Sequence, residues 1–456
     1  MKSTLAAGAA LLALAASGGA RAADSADDSL TWFGVTLYGS VDVGYTFQNR
    51  GAPLSDYYPG GLEYLLQKNS SRRISSLSEN GLSQSKIGLR GSHPLLQGWS
   101  AVFRLETGFN PLSGSLSDAV KSIAQNNGVP PAAQSTNSDA SRAGQPFQGA
   151  AYAGISSPAF GALTFGRQNS LLLDNILKYD PVSGSYAFSL PGYSGAAGGS
   201  GCTQDARLDN SVKYLGQIGS LRGGAQFQSG IGTGSGGNAI ELDLGADPVP
   251  GLSLDAAYGN KKGAILAAPL SAAQVAALPR GISPASAVAA TVSDNWSWQV
   301  NWSYTVRAAR FSFGYEDIHL RNPQTPLRVG SPDIGGYTIG ALNNPAGNNL
   351  FPSAKLLQVI WTGAKYSFSR RFDLTAAWYY VNQNRYNPAA ACPGGTGDAP
   401  ACSGRTNAWS LVADYKFNPH FDAYAGFMYS KSADGLAAGF LSTWTIDPTI
   451  GGRFSF

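Results

Sequence analysis

The chain has 456 residues, among them 57 glycines, 21 tyrosines, 20 phenylalanines and 9 tryptophans against three cysteines and two methionines, with a formal charge of +4. A balance this near neutrality argues against a nucleic-acid binder, and the glycine- and aromatic-rich composition points to strands rather than helices. No linker, charge block or shift in composition divides the chain into the two or three domains that about 150 residues per domain would suggest.

The chain opens with Lys2, an apolar run from Leu5 to Ala16 and the small-residue site Ala20-Arg21-Ala22. This three-part form predicts a secretory signal over residues 1–22, cleaved after Ala22. A transmembrane helix needs about 20 apolar residues in a row, and this run stops at Ser17-Gly18-Gly19. Loss of Lys2 and Arg21 lowers the charge of the exported chain from +4 to +2.

From Val35 onward the sequence alternates. Val35, Leu37, Val41, Val43, Tyr45 and Phe47 interleave with Thr36, Tyr38, Ser40, Asp42, Thr46 and Gln48; in a strand this places an apolar set on one face and a polar set on the other. The pattern returns at Trp296, Trp298, Val300, Trp302, Tyr304 and Val306, at Phe372 to Tyr380, and at Trp409 to Phe417. A soluble β-protein would show continuous apolar runs for a buried core. Alternating segments of roughly ten residues are what membrane-crossing strands require, and about sixteen of them are expected here.

The connections alternate in length. Short ones fall at Pro94–Gly98, Ser157–Gly161, Gly216–Ser220, Pro248–Gly251, Arg307–Ala309, Ser369–Arg371 and Asn418–His420 and read as periplasmic turns. Long polar ones fall at Asn49–Leu82, Pro111–Gln145, Asn169–Ala206, Asn260–Val292, Arg321–Ala354 and Asn384–Arg405 and read as extracellular loops. Residues 23–456 are therefore expected to form one all-β domain, a transmembrane antiparallel β-barrel in the outer membrane, surrounded by its lipids. Closure follows from cost: an open edge in hydrocarbon leaves backbone groups unpaired at several kcal/mol each. The chain ends Arg453-Phe454-Ser455-Phe456, a terminal aromatic on an alternating strand like the one read by barrel-insertion machinery.

Several stretches carry a family likeness: Val35-Thr36-Leu37-Tyr38-Gly39, Ser85 to Ser92, Phe103 to Asn110, Ala153 to Ser157 with Phe165-Gly166-Arg167-Gln168, and Asn210 to Tyr214. They occur in the order and spacing found in the trimeric general porins of Gram-negative bacteria, and the chain resembles the sixteen-stranded neisserial and burkholderial branch. It departs from that pattern at His93-Pro94-Leu95-Leu96, where the family carries an acidic pair, and after Arg167, where a Pro-Glu-Phe-Gly box is missing.

The resemblance implies a homotrimer that passes small hydrophilic solutes and ions by diffusion, without cofactor, metal or catalysis. It also implies that the third long loop, residues 169–206, folds into the barrel and sets acidic groups against a basic wall. That loop carries Asp174, Lys178, Tyr179, Asp180 and Asp205. Parity independently turns Lys86, Arg90, Arg104, Glu106, Arg207, Asp209 and Lys213 inward beside Tyr38 and Asp42; a lipid-facing Arg or Lys at mid-depth costs about 2 to 4 kcal/mol. Arg167 falls on the lipid-facing parity of Leu163 and Phe165, whereas the family places it in the pore, a conflict that a bulge at Gly166 would resolve. The inward Lys86, Arg90, Arg104 and Lys213 favour a mild anion preference, and Asp42, Glu106 and Asp209 oppose it.

Other signals carry less weight. Cys392 and Cys402 flank a nine-residue loop tip and are expected to pair, at a gain of about 2 to 3 kcal/mol; Cys202 is left as a free thiol. His93, His319 and His420 lack the paired spacing of a metal site. Gly232 to Gly237 imitates a dinucleotide fingerprint but reads as a hairpin tip, and Ala267–Leu278 with Ala285–Thr291 reads as a short helix within a loop. A channel specific for sugars or organic acids is the main alternative, with Tyr179, Tyr186, Phe188 and Tyr193 as an aromatic slide. A barrel hydrolase would need a serine and an orienting group beside His319, and a barrel adhesin would rest on the long outer loops.

Overall fold

The computed structural model describes residues 30–49, 73–114, 116, 146–191, 207–230, 237–268, 289–326, 346–347, 351–386, 403–437 and 442–456. Its strands are β1 (Val35–Gln48), β2 (Ile74–Glu79 continued by Lys86–Leu96), β3 (Trp99–Gly108), β4 (Ala150–Ser157), β5 (Gly161–Asn169), β6 (Arg207–Ile218), β7 (Leu221–Gln228) and β8 (Ala239–Val249). The second half comprises β9 (Leu252–Ala268), β10 (Ala289–Val306), β11 (Ala309–Arg321), β12 (Lys355–Ser367), β13 (Phe372–Gln383), β14 (Gly404–Lys416), β15 (Phe421–Asp434) and β16 (Trp444–Ser455). Two two-residue stubs, Thr31–Trp32 and Ala346–Gly347, lie beside the ring.

Each strand pairs antiparallel with the next, and β16 returns to β1 through Thr449 opposite Thr46 down to Ser455 opposite Ser40. Sixteen strands thus close a barrel with no free edge. The expected alternation is visible in exposure. On β10, Trp298, Val300, Trp302 and Tyr304 stand outward while Ser297, Gln299, Asn301 and Ser303 are buried inside. The seven short turns fall where turn residues interrupt the period, and both ends of the ring lie on that side.

Three expectations need correction. The strand paired with the upper half of β1 begins at Ile74, inside the segment read as a loop to Leu82. It breaks at residues 80–85, where the chain leaves the wall and turns inward. The loop expected over Asn260–Val292 is strand at both of its described ends: pairing continues to Ala268 opposite Ala289 because a bulge between Lys261 and Ala264, with Gly263 at φ 61°, carries the ladder onward. Ala267, Ala268 and Ala289 to Thr291 are therefore strand, not helix.

The inward face is polar around most of the ring but apolar over β11 to β15. There Ile318, Leu357, Val359, Trp361, Tyr379, Val381, Val412, Tyr424 and Met428 are buried together. Period two holds over much of β13 and β14, where Asp373, Thr375, Thr406 and Ser410 face inward, and weakens where Trp361, Tyr379, Val381 and Val412 make the inner face apolar as well. What covers the inner one is the loop after β5.

Candidate functional site

That loop, L3, is described from Ser170 to Pro191. It starts with a helix, α1 (Leu171–Tyr179), whose N-cap Ser170 accepts a bond from the Leu173 amide at 3.0 Å. Leu172, Ile176 and Tyr179 are fully buried against the wall. Polar wall groups fix the helix along its length. The Leu171 amide donates to Glu241 on β8 at 2.6 Å and Asn175 donates to Asp243 at 2.8 Å. Gln299 on β10 donates to the Leu172 carbonyl, and Arg310 on β11 donates to that of Lys178.

At the far end of α1, Asp255 on β9 gathers a charged knot. Its carboxylate meets Lys178 at 2.8 Å, the Tyr179 hydroxyl at 2.5 Å and Arg222 on β7 at 3.0 Å, while Arg222 also holds Asp247 at 2.6 Å. Burial pulls the Lys178 ammonium below its ordinary range, against the raising effect of Asp255.

Beyond α1 the chain turns at Ser183 and Gly184, both at positive φ, and runs across the apolar inner wall. Asp180 accepts from the Tyr379 hydroxyl on β13 at 2.8 Å and from the Gly184 amide at 2.6 Å. Phe188 is fully buried, edge-on to Tyr424 at 6.0 Å, with its carbonyl accepting from Ser410 on β14. The inward excursion of β2 receives the tip: Gly81 O accepts from the Ser185 hydroxyl and the Ala187 amide. Asp42 clamps that excursion, accepting from the amides of Leu82 and Ser83 and from the Tyr424 hydroxyl.

The root of L3 is tied by β5 and β6. Parity alone directs Arg167 toward lipid, but Gly166 adopts φ 128° and the register to β6 shifts at that point. A Cβ at Gly166 would lie 2.2 Å from the Ala151 carbonyl, so glycine permits the bulge that turns Arg167 inside. Arg167 is there 6% exposed and bonded to Asp209 at 2.6 Å and to the Gln148 carbonyl at 2.7 Å. Lys213 on β6 is paired with Asp174 and donates to the Asn169 carbonyl.

L3 thus occupies the wall from β6 round to β15 and Gly81. The remaining arc carries a basic ladder. Tyr38 on β1 lies between two guanidinium groups, Arg90 at 5.4 Å and Arg104 at 5.2 Å from its ring centre. Register makes the ladder regular: Arg90 stands opposite Arg104, and Gly88 opposite both Tyr38 and Glu106. Glu106 accepts from the Tyr38 hydroxyl at 2.9 Å and meets Arg104 at 2.6 Å and Lys86 at 3.4 Å. Arg207 acts electrostatically on both Glu106 and Lys86. Cations therefore crowd around this carboxylate, and the side chains of Lys86 and Arg104 keep 33% and 28% of their surface open.

This arrangement differs from the opposed-charge constriction that the resemblance implied. Asp174 and Asp180 are not turned across the lumen toward the basic wall; they anchor the loop on the wall behind it. Asp42 is wholly buried rather than lining the pore, and Tyr179 and Phe188 pack instead of forming a slide. Asp205, Tyr193, Cys202, Cys392, Cys402, the glycine tip at 232–236 and the signal segment lie outside the described residues. Sequence reasoning missed Glu241, Asp243, Asp255, Arg222, Tyr379 and Tyr424, although inward parity on β8 and β9 carries an acidic column that an infolded loop could use. His319 pairs with Asp317 at 2.6 Å on the outer face, but its cross-strand neighbours are Trp296 and Leu356, with no serine among them.

A closed barrel with an apolar outer face, a charged lumen and a loop folded into that lumen defines a transmembrane channel protein of the bacterial outer membrane. The chain matches the family model described as Gram-negative porin over residues 7–435 and belongs to that family. It is 29% identical over 237 residues to an outer membrane porin protein of Bordetella pertussis, a match covering 51% of this chain and 49% of that relative; the aligned region spans about half of the relative's length. Among solved structures, the anion-selective porin from Comamonas acidovorans superposes with a TM-score of 0.58 at 17% identity over 92% of this chain and 99% of that one. A trimer form of OmpT from Vibrio cholerae gives a TM-score of 0.53 at 15% identity, covering 92% and 99%.

Proposed function

We propose that the protein is a passive, weakly anion-preferring channel for small hydrophilic solutes and ions, assembled as a homotrimer. The observation that carries this reading is the basic ladder Lys86, Arg90, Arg104 and Arg207 around Glu106, beside the stretch of wall that the described part of L3 packs against. Because Asp174 and Asp180 are committed to anchoring, they do little to offset that charge at the lumen. Fixed charge in a narrow aqueous passage selects ions through the local potential. The Comamonas porin that shares this fold is anion-selective, which accords with the same preference here.

A sugar- or acid-specific slide finds less support, since Tyr179 and Phe188 are covered by the wall. Membership of the porin family points to a channel rather than an enzyme. Trimer formation draws support from the apolar outward residues of the first and last strands and their neighbours, such as Ile87, Leu89, Ile450 and Phe454. Planar-bilayer recording with purified protein tests the whole reading: conductance steps in threes, little affected by added sugars, are expected, and a protein that inserts without conducting would overturn it.

A further inference from the structure

The rim formed by the short turns, the periplasmic end of such a barrel, is electrically lopsided. The turns at 94–98, 157–161, 216–220 and 248–251 contain no charged residue. The next two carry three arginines, Arg307 between β10 and β11 and Arg370 with Arg371 between β12 and β13. All three are exposed, and among the described residues none of them is held in an ion pair. Backbone bonds join these turns into one edge: the Ser367 amide donates to the Ala308 carbonyl at 2.9 Å, and the Lys416 amide at the end of β14 donates to the Arg371 carbonyl at 2.7 Å. Neighbouring strands lie about 4.8 Å apart, so successive turns follow one another at about twice that spacing.

Just inside the same edge a second row of cations points into the lumen. Arg310 on β11 stands directly opposite Lys365 on β12, a like-charge pair of the kind that paired strands disfavour. Lys365 and Lys416 straddle the Asp373 carboxylate at 2.8 Å and 2.9 Å. Their side chains keep 37% and 40% of their surface open, against 5% for Asp373, so water in the mouth meets the ammonium groups and not the acid. Asp414 faces Asp373 across β13 and β14, and Asp422 is held by Arg453 at 2.6 Å. Those three acids are matched in number by Lys365, Lys416 and Arg453; Arg310 and the three turn arginines come in addition.

We infer that Arg307, Arg310, Lys365, Arg370, Arg371 and Lys416 form an anion-collecting arc, separate from the ladder, that concentrates small inorganic anions at the periplasmic mouth and gives their passage a directional bias. The arc lies across the ring from the ladder on β1 to β3. Exposed charge acts over a Debye length, about 10 Å at 0.1 M salt and about 3 Å at 1 M. The arc therefore governs the mouth when the periplasmic solution is dilute and is screened out when that solution is concentrated. The ladder, enclosed in the lumen, is screened less and acts alike from either side. This inference rests on conduction by the chain, not on the sign of the ladder's preference.

Single inserted channels, in which orientation is fixed, test the arc with about 0.1 M KCl on one side and about 1 M on the other, the gradient then being reversed. The two zero-current potentials of the wild type should differ in magnitude, with chloride weighing more when the short-turn rim faces the dilute side. Arg307→Gln/Arg370→Gln/Arg371→Gln should lose most of that difference, its barrel shown intact by unchanged heat-modifiable migration on gels. Arg90→Gln/Arg104→Gln should keep the difference while both potentials shift. Equal magnitudes in the wild type would overturn the assignment, even for an anion-selective channel. So would a triple variant that keeps the difference, which would leave the turn arginines as contacts to the surrounding headgroups. A cation-selective wild type that shows the difference and loses it in the triple variant would contradict the ladder and leave the arc standing.

Discussion

Replacing Phe188 with alanine should unseat the tip of L3 while leaving the barrel wall intact. The ring is fully buried against Tyr424, and the atoms beneath it belong to the inner wall around Val412, Gly426 and Met428. Aromatic-to-alanine changes in a packed core cost about 3 to 5 kcal/mol. The lumen is wet, so water can enter the vacated space and the lower end, about 3 kcal/mol, applies. That loss shifts the ratio of seated to detached tip roughly 150-fold. The bonds from Ser185 to Gly81 and from Tyr379 to Asp180 survive, each worth about 1 kcal/mol, so the tip should exchange between states rather than leave the wall for good. Single-channel recording should show added open-state noise and excursions to a different conductance in F188A. Ser410→Ala, which removes one bond to the Phe188 carbonyl, should show the same effect to a smaller degree. A folded F188A barrel with wild-type conductance and noise would refute the idea that this packing sets the position of L3.

Arg167→Ala removes the guanidinium that holds Asp209 at 2.6 Å and the Gln148 carbonyl at 2.7 Å at the loop root and should lower the temperature of heat-modifiable migration on gels; an unchanged transition would argue against the inward bulge. Gly88→Ala places a Cβ 2.6 Å from the Tyr38 ring and 2.7 Å from the Leu105 carbonyl, so Tyr38 should be displaced from between its two arginines and ion selectivity should fall, with reversal potentials as the check. Burial raises the Asp180 carboxyl to about 6, against the lowering bonds from Gly184 and Tyr379. A folded-state pKa above the unfolded one contributes stability that is full below about 4 and is lost as pH rises through 6. L3 should therefore protect the Gly184 amide from hydrogen exchange better at pH 5 than at pH 8, and Asp180→Asn should remove the difference; equal protection in the wild type at both values would contradict it.

Much of the barrel is legible because membrane strands impose a period of two that few other structures tolerate. Val35 to Gln48 and Trp296 to Val306 show it without ambiguity. The inner apolar wall is not legible in the same way: at Trp361, Tyr379 and Val412 both phases are apolar, and only the loop that covers one of them explains why. The break in β2 is hidden for a related reason, since Asn80 to Ser85 reads as loop whether it lies outside the barrel or turns inside it. Arg167 shows how one glycine can defeat parity, and only a three-dimensional ladder reveals which way the bulge resolves. For the loop acids, sequence gives the charge but not its partner, and it is the partners Lys213 and Tyr379 that remove Asp174 and Asp180 from the lumen.

The zero-current potential across a planar bilayer in a KCl gradient tests the central claim most directly, measured for the wild type and for the Arg90→Gln/Arg104→Gln double variant. The basic ladder predicts a potential of the sign set by chloride for the wild type, moving toward zero when the two guanidinium groups are lost. A cation-selective wild type, or a double variant with an unchanged potential, would contradict it.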